Sequence, residues 1–372
     1  MAAPPVTGTA PRARPEAGEP ARPAGGRRTA ALAAVYYLLA ALAVTVWLWR
    51  DPASRTVAGN PNDTDQFAWF FRYDATAIAH ARLPALVTTA MNAPRGVNVM
   101  WNTFMLLPGV LLAPLTLTAG PQASLTVLMT AGFAGSAAAM SAVLRRWGAG
   151  AASAWLGGAV YGFSPAMVHS AIGHYDLQFA VLPPLILAAA VRLAAGRARS
   201  VRGGAWLGLL AAAQFLISEE MLLDTAIACV LVVVVLAAGR PREVPGRAAT
   251  AAAGLAVAAC VAAALAGYPL WVQFFGPLHQ HGTPYTIDFF KNDLSGLVTP
   301  SALQLFHTAG SAAAAARYQG RLPEYLGYLG WPLLAVLALA AACCWRRLPA
   351  RAAAVTWAVL GIFSLGGTLL AG

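Results

Sequence analysis

The chain has 372 residues, 59% of them hydrophobic and only 10% charged. Together with repeated apolar runs of about 20 residues, this composition excludes an ordinary soluble domain and predicts an all-α, polytopic transmembrane helix bundle. The net charge of +11 does not indicate nucleic acid, because the arginines form short clusters between apolar runs and no basic stripe is interleaved with exposed aromatics.

Residues 1–28 are rich in Pro, Ala, Gly and Arg, have little to bury, and read as a disordered cytoplasmic tail preceding one transmembrane domain, 29–372. Nine spans are expected, at 30–49, 121–144, 150–168, 176–195, 204–218, 221–239, 248–268, 330–345 and 352–370; the first is kept as an anchor because no cleavage site follows it. The run 101–118 is also apolar, but Pro108 and Pro114 make it a poor straight span, and it is expected as a broken helix on the outer face. With that choice 17 of the 25 basic residues fall on the cytoplasmic side and eleven of the fourteen acidic residues on the other. This agrees with the positive-inside rule and sets the chemistry in the outer loops 50–120 and 269–329 and the short turns 169–175 and 218–220. The four cysteines lie in or at the ends of apolar runs and form neither a disulfide framework nor a zinc site.

The first loop opens with Asn60-Pro61-Asn62-Asp63-Thr64-Asp65. In an extended segment the carboxylates of Asp63 and Asp65 would point the same way, toward a divalent cation or a hydroxyl to be deprotonated; a solvated turn is the competing reading. The aromatic stretch Gln66 to Asp74 that follows suits a segment lying flat at the lipid interface. Further on, Tyr161-Gly162-Phe163-Ser164-Pro165, His169 and Gly173-His174-Tyr175-Asp176 bring two histidines and an aspartate to a helix junction. There His174 and Asp176 form a candidate acid–base pair, or Asp176 caps the next helix. Ser218-Glu219-Glu220 interrupts some thirty apolar residues, so its carboxylates need a cation, a shared proton or a wet pocket unless they form an exposed turn. The last loop supplies His279 and His281, whose spacing suits a metal only if extended, and Glu324. Lys291, Arg317 and Arg321, with Arg72, Arg82 and Arg95 of the first loop, oppose the positive-inside trend and suit binding of a phosphate.

An N-terminal span, a long outer loop with an early Asp-x-Asp, an interfacial helix and a bundle of further helices together resemble the C-type (GT-C) membrane glycosyltransferases. The blocks Val160 to Pro165, Gly173-His174 and Ile217 to Glu220 resemble those of bacterial GT-C-like membrane proteins, over roughly residues 30–345. The resemblance implies transfer of a sugar from a polyprenyl-phosphate donor in the plasma membrane to an envelope glycan, lipid or protein acceptor on the extracytoplasmic face. Asp63 or Asp65 would take the acceptor proton, with a cationic group or Mg2+ or Mn2+ at those acids stabilising the leaving lipid phosphate. His174, Asp176, Glu219 and Glu220 join the candidate catalytic set; Arg72, Lys291, Arg317, Arg321 and Glu324 form the candidate substrate-binding set. Two departures are a missing His-Pro-Pro-Leu block, whose place Trp101 to Pro108 takes, and an ending inside the ninth apolar run. The alternatives are a non-catalytic or truncated envelope-assembly protein and a lipid or solute transporter.

Overall fold

The computed structural model describes residues 25–282, 289–318 and 327–366. The expected tail therefore lies almost wholly outside the described residues, as do Arg321 and Glu324. The fold is all-α, with 70% helix. In chain order the helices are α1 (Gly25–Val44), α2 (Val46–Trp49), α3 (Pro61–Ala79), α4 (Leu106–Leu111), α5 (Ala113–Ala119), α6 (Pro121–Arg146), α7 (Ala151–Gly162) and α8 (Pro165–Ser170). There follow α9 (Tyr175–Gln178), α10 (Pro183–Ala194), α11 (Ser200–Phe215), α12 (Glu219–Ala238), α13 (Val244–Phe275), α14 (Ala309–Ala315), α15 (Trp331–Cys344) and α16 (Leu348–Phe363). One antiparallel pair of two-residue strands, β1 (Val87–Thr88) and β2 (Val97–Asn98), pairs Val87 with Asn98.

Among the described residues three helical segments are long and apolar enough to cross a membrane: Pro121–Arg146, Glu219–Ala238 and Pro241–Phe275. Four shorter apolar helices accompany them, Arg28–Val44, Pro183–Ala194, Trp331–Cys344 and Leu348–Phe363. Three of the expected continuous spans are broken, the run 30–49 dividing at Thr45 into α1 and α2. The run 150–168 divides into α7 and α8, where Pro165 occupies the first helical position and the Ser164 side chain accepts from the Met167 amide. The run 176–195 divides into the single turn α9 and α10, which starts on Pro183 and Pro184. Proline has no amide to continue the preceding helix but is suited to start a new one. The 101–118 segment is broken as expected: α4 and α5 meet at Leu112, with Pro114 opening α5.

The aromatic stretch of the first loop corrects its expected placement. It forms most of α3, where Phe67, Phe70, Phe71 and Ala75 are buried in the main core. Phe67 meets Tyr175 of α9 edge-on at 5.6 Å between ring centres, and Phe70 meets Phe104 at 5.1 Å. The i, i+3, i+4 spacing gives α3 one apolar face, and that face is covered by α4, α5, α6 and α9 rather than by lipid. Glycines let other helices approach closely. A Cβ at Gly208 or Gly204 of α11 would meet the carbonyl oxygens of Ala258 and Gly254 of α13, and one at Gly158 of α7 would meet the Ala137 carbonyl of α6.

Candidate active site

Three segments that are far apart in sequence converge at one end of the helices. The first is the start of α3. Asn60 precedes it, Thr64 Oγ1 donates to the Asn60 carbonyl at 2.9 Å, and the Asn60 side-chain amide donates to Asp63 Oδ2 at 2.5 Å. The second is the α8–α9 turn, where Gly173 adopts φ +97° and its missing Cβ leaves room for the Asn60 side chain. Through that close approach His174 Nε2 lies 3.5 Å from Asp63 Oδ2, in a pair exposed enough (19% and 38%) to meet a ligand.

The third segment is the α11–α12 junction. Ser218 caps α12 by accepting from the Met221 amide and donates its hydroxyl to Asp176 Oδ2 at 3.0 Å. Asp176 is 4% exposed and lies within electrostatic reach of His174, Glu219 and Glu220. Glu219 accepts from the Gln273 side chain of α13 at 3.3 Å. The end of β2 and the turn after it tie that end of α13 in place, since Asn98 Nδ2 donates to the carbonyls of Val272 (2.8 Å) and Pro277 (3.1 Å) and the Trp101 indole donates to the Gln273 carbonyl. The result is a rim of acids around one imidazole, with Asp63 and Glu220 facing outward and Asp176 held inside.

Asp63 and Asp65 do not act as a same-side pair. Both lie on α3 rather than in an extended segment, so two residues of separation turn their side chains roughly 200° apart. Asp63 faces His174; Asp65 is exposed. Asp176 does not cap α9 with its side chain either, because its carboxylate is engaged by Ser218. Arg72, Arg317 and Lys291, candidates for phosphate binding, lie among the described residues, on different elements. Arg72 is exposed on α3, Arg317 is exposed in the turn after α14, and Lys291 lines a separate pocket. His279 hydrogen-bonds the Gly276 carbonyl at 2.8 Å and stands beside His281, in a turn and not in an extended strand.

Gln273 is a site residue that no sequence motif marks, and the roles of Asn60 and Ser218, which stand in the quoted blocks, arise only through tertiary contact. Asp74 had a readable signal: Phe67, Phe70, Phe71 and Asp74 share helical spacing, which puts a carboxyl on the buried face of α3. It is fully buried, neither oxygen has a hydrogen-bond partner, and Gly109 of α4 leaves the space its carboxyl fills.

Burial pushes the Asp74 pKa up from the ordinary 3.8 to about 9. A folded-state value raised above the unfolded one means the folded protein holds this proton more tightly. The associated stability is fully present below about pH 4 and is lost as pH rises toward 9. The detergent-extracted protein should therefore melt at a lower temperature at pH 8.5 than at pH 5.5, with a slope of up to about 1.4 kcal/mol per pH unit from this residue. That slope should flatten in Asp74→Asn; an unchanged slope would show that another group causes it.

Ser218→Ala removes both a helix cap and the partner of a buried carboxylate, and is expected to cost about 1–3 kcal/mol. The loss should appear as a lower melting temperature of the extracted protein.

No protein-family model, curated protein or solved structure matches the chain.

Proposed function

We propose that this chain is a polytopic GT-C-type glycosyltransferase that moves a sugar from a polyprenyl-phosphate donor to an acceptor on the extracytoplasmic face of the plasma membrane. Nine spans are proposed for the bundle, with the breaks inside 150–168 and 176–195 lying at membrane edges, and the N-terminus is cytoplasmic. The observation that carries the reading is the pairing of the early loop acid Asp63 with His174, beside Asp176, Ser218 and Glu219.

In this reading the chemistry is inverting substitution at the anomeric carbon. An acceptor hydroxyl gives its proton to Asp63 Oδ1 while its oxygen forms the new glycosidic bond. The bond from the anomeric carbon to the lipid phosphate oxygen breaks, and its electron pair leaves with the phosphate. Asn60 and His174 hold Asp63 Oδ2 and so orient the other oxygen toward the acceptor.

Mg2+ or Mn2+ chelated jointly by Asp63 and Asp65 fits poorly. The two side chains diverge on α3, and no group of three His, Cys, Asp or Glu side chains is placed to hold an ion among the described residues.

A second reading, a proton-coupled transporter, is favoured by one observation: Asp74 is a buried carboxyl without partners, packed against the broken helix pair α4–α5. The experiment that separates the two uses cells fed labelled sugar and expressing the protein or an empty vector. Vector-subtracted label in an extracytoplasmic glycan, lipid or protein supports the transferase; label moved across the membrane but left unattached supports the transporter.

A further inference from the structure

The end of the bundle away from the acidic rim carries the opposite charge. α11 ends and α12 begins at the rim, so the start of α11 and the end of α12 lie about 24 Å and about 30 Å from it, along helices of 16 and 20 residues. Three helix junctions gather at that far end: 195–202 between α10 and α11, 239–247 between α12 and α13, and 345–351 between α15 and α16. Together they hold nine arginines and one acid, Glu243.

Packing brings the three junctions together. The stem of Arg247 lies over Gly196, where an added Cβ would stand 3.5 Å from Arg247 Cγ, and Leu348 fills the space left by the missing side chain of Gly239. The middle junction is thus held between the other two. Its single acid is already taken, with Arg247 Nη1 2.5 Å and Arg240 Nη1 3.9 Å from Glu243 Oε2. Arg351 donates from Nε to the Trp345 carbonyl at 3.4 Å, and its guanidinium stands 5.9 Å from the centre of the Trp345 ring. The other six, Arg197, Arg199, Arg202, Arg242, Arg346 and Arg347, are exposed and make no side-chain hydrogen bond or ion pair among the described residues.

Like charges gathered in this way repel one another, and an anion bound among them relieves the repulsion. The planar guanidinium fork matches the oxygens of a phosphate group. The surroundings point to a phosphate carried by a lipid. Val201, Val244 and Trp345 stand exposed among the arginines, and the arginines issue directly from the ends of apolar helices. A ligand here meets cations and hydrocarbon at one level, which is the position of a headgroup above its acyl chains. A soluble polyanion would leave that apolar surface uncovered. The bias of basic residues toward one side of a membrane concerns only how many lie there, and gives no reason for three junctions to pack against one another.

We infer that this basic face is a binding site for the phosphate headgroup of an anionic phospholipid, in the leaflet opposite the acidic rim. The inference needs only that the helices span a membrane and is independent of the transferase reading. The test is native mass spectrometry of the full chain in a neutral detergent, which gives the Kd for added phosphatidylglycerol and phosphatidylcholine, with inorganic phosphate as a soluble competitor. Arg242→Gln/Arg347→Gln removes two uncommitted arginines from two of the junctions. Arg145→Gln/Arg146→Gln removes the same charge from the end of α6, which belongs to none of the three.

The wild type is expected to bind phosphatidylglycerol about tenfold or more tighter than phosphatidylcholine, with a loss of about thirtyfold in Arg242→Gln/Arg347→Gln, at about 1 kcal/mol per arginine, and less than about threefold in Arg145→Gln/Arg146→Gln. Equal binding of the two lipids overturns the site, as does undiminished binding in Arg242→Gln/Arg347→Gln. Equal losses in both variants overturn it too, because net charge alone would then account for the binding. Displacement of the lipid by inorganic phosphate at equal concentration would identify a soluble-phosphate site and overturn the lipid as its ligand.

Discussion

Asp63→Asn is expected to reduce sugar transfer by about 10²–10⁴-fold, the usual contribution of a positioned general base, while Asp65→Asn stays within about twofold of the wild type. The contrast follows from α3. As part of an extended loop the two aspartates would be interchangeable. On a helix only Asp63 reaches the α8–α9 turn, where His174 lies 3.5 Å away and Asn60 fixes one carboxylate oxygen at 2.5 Å. An amide at position 63 keeps the size of the side chain but cannot take a proton. Transfer assayed in membranes with equal amounts of each protein checks this, and equal losses in both variants would return the role to the Asp-x-Asp pair as a unit.

The second large effect concerns the body that holds the site. Gly208→Leu should lower the melting temperature of the extracted protein by several degrees and reduce its accumulation in the membrane. A Cβ there meets the Ala258 carbonyl of α13, a backbone atom that cannot swing aside. Forcing a side chain into such a contact typically costs about 1–3 kcal/mol or more. α13 also carries Gln273, the partner of Glu219, and the carbonyls that receive Asn98 and Trp101. Displacing it should loosen the rim as well as the bundle. Gly267→Ala is the control: it lies on the partner helix α13 with nothing within 4 Å of an added Cβ, and it should leave stability unchanged or raise it by up to about 1 kcal/mol through helix propensity.

Most of the apolar helices were legible in the sequence because their signal is local: apolar runs bounded by arginine clusters, with Pro114 marking the α4–α5 break. Pro165 and the Pro183-Pro184 pair carry equally local reasons for the breaks inside 150–168 and 176–195, although continuous hydropathy hides them. The residue types of the site were legible too, since Asp63, His174, Asp176 and Glu219 stand out in an apolar chain. Their pairing was not. Asp63 meets His174, and Ser218 meets Asp176, only because α3, α9 and the start of α12 dock on one core, a long-range arrangement no spacing rule encodes. The aromatic stretch of α3 misleads for a related reason, as the same amphipathic pattern serves a lipid surface or a protein interior and only the neighbours decide. The phosphate-binding set rested on charge alone, and charge sign does not say which loops meet.

The most direct measurement is donor turnover by the purified protein in liposomes, supplied with labelled polyprenyl-phosphate sugars and a membrane extract as the acceptor source. A catalytic Asp63 predicts release of free polyprenyl phosphate, with label passing to an acceptor, by the wild type and Asp65→Asn and about 10²-fold less or lower in Asp63→Asn. Release that is equal in Asp63→Asn, or absent from the wild type with every donor, would contradict the assignment of Asp63 and His174 as the centre of a sugar transferase.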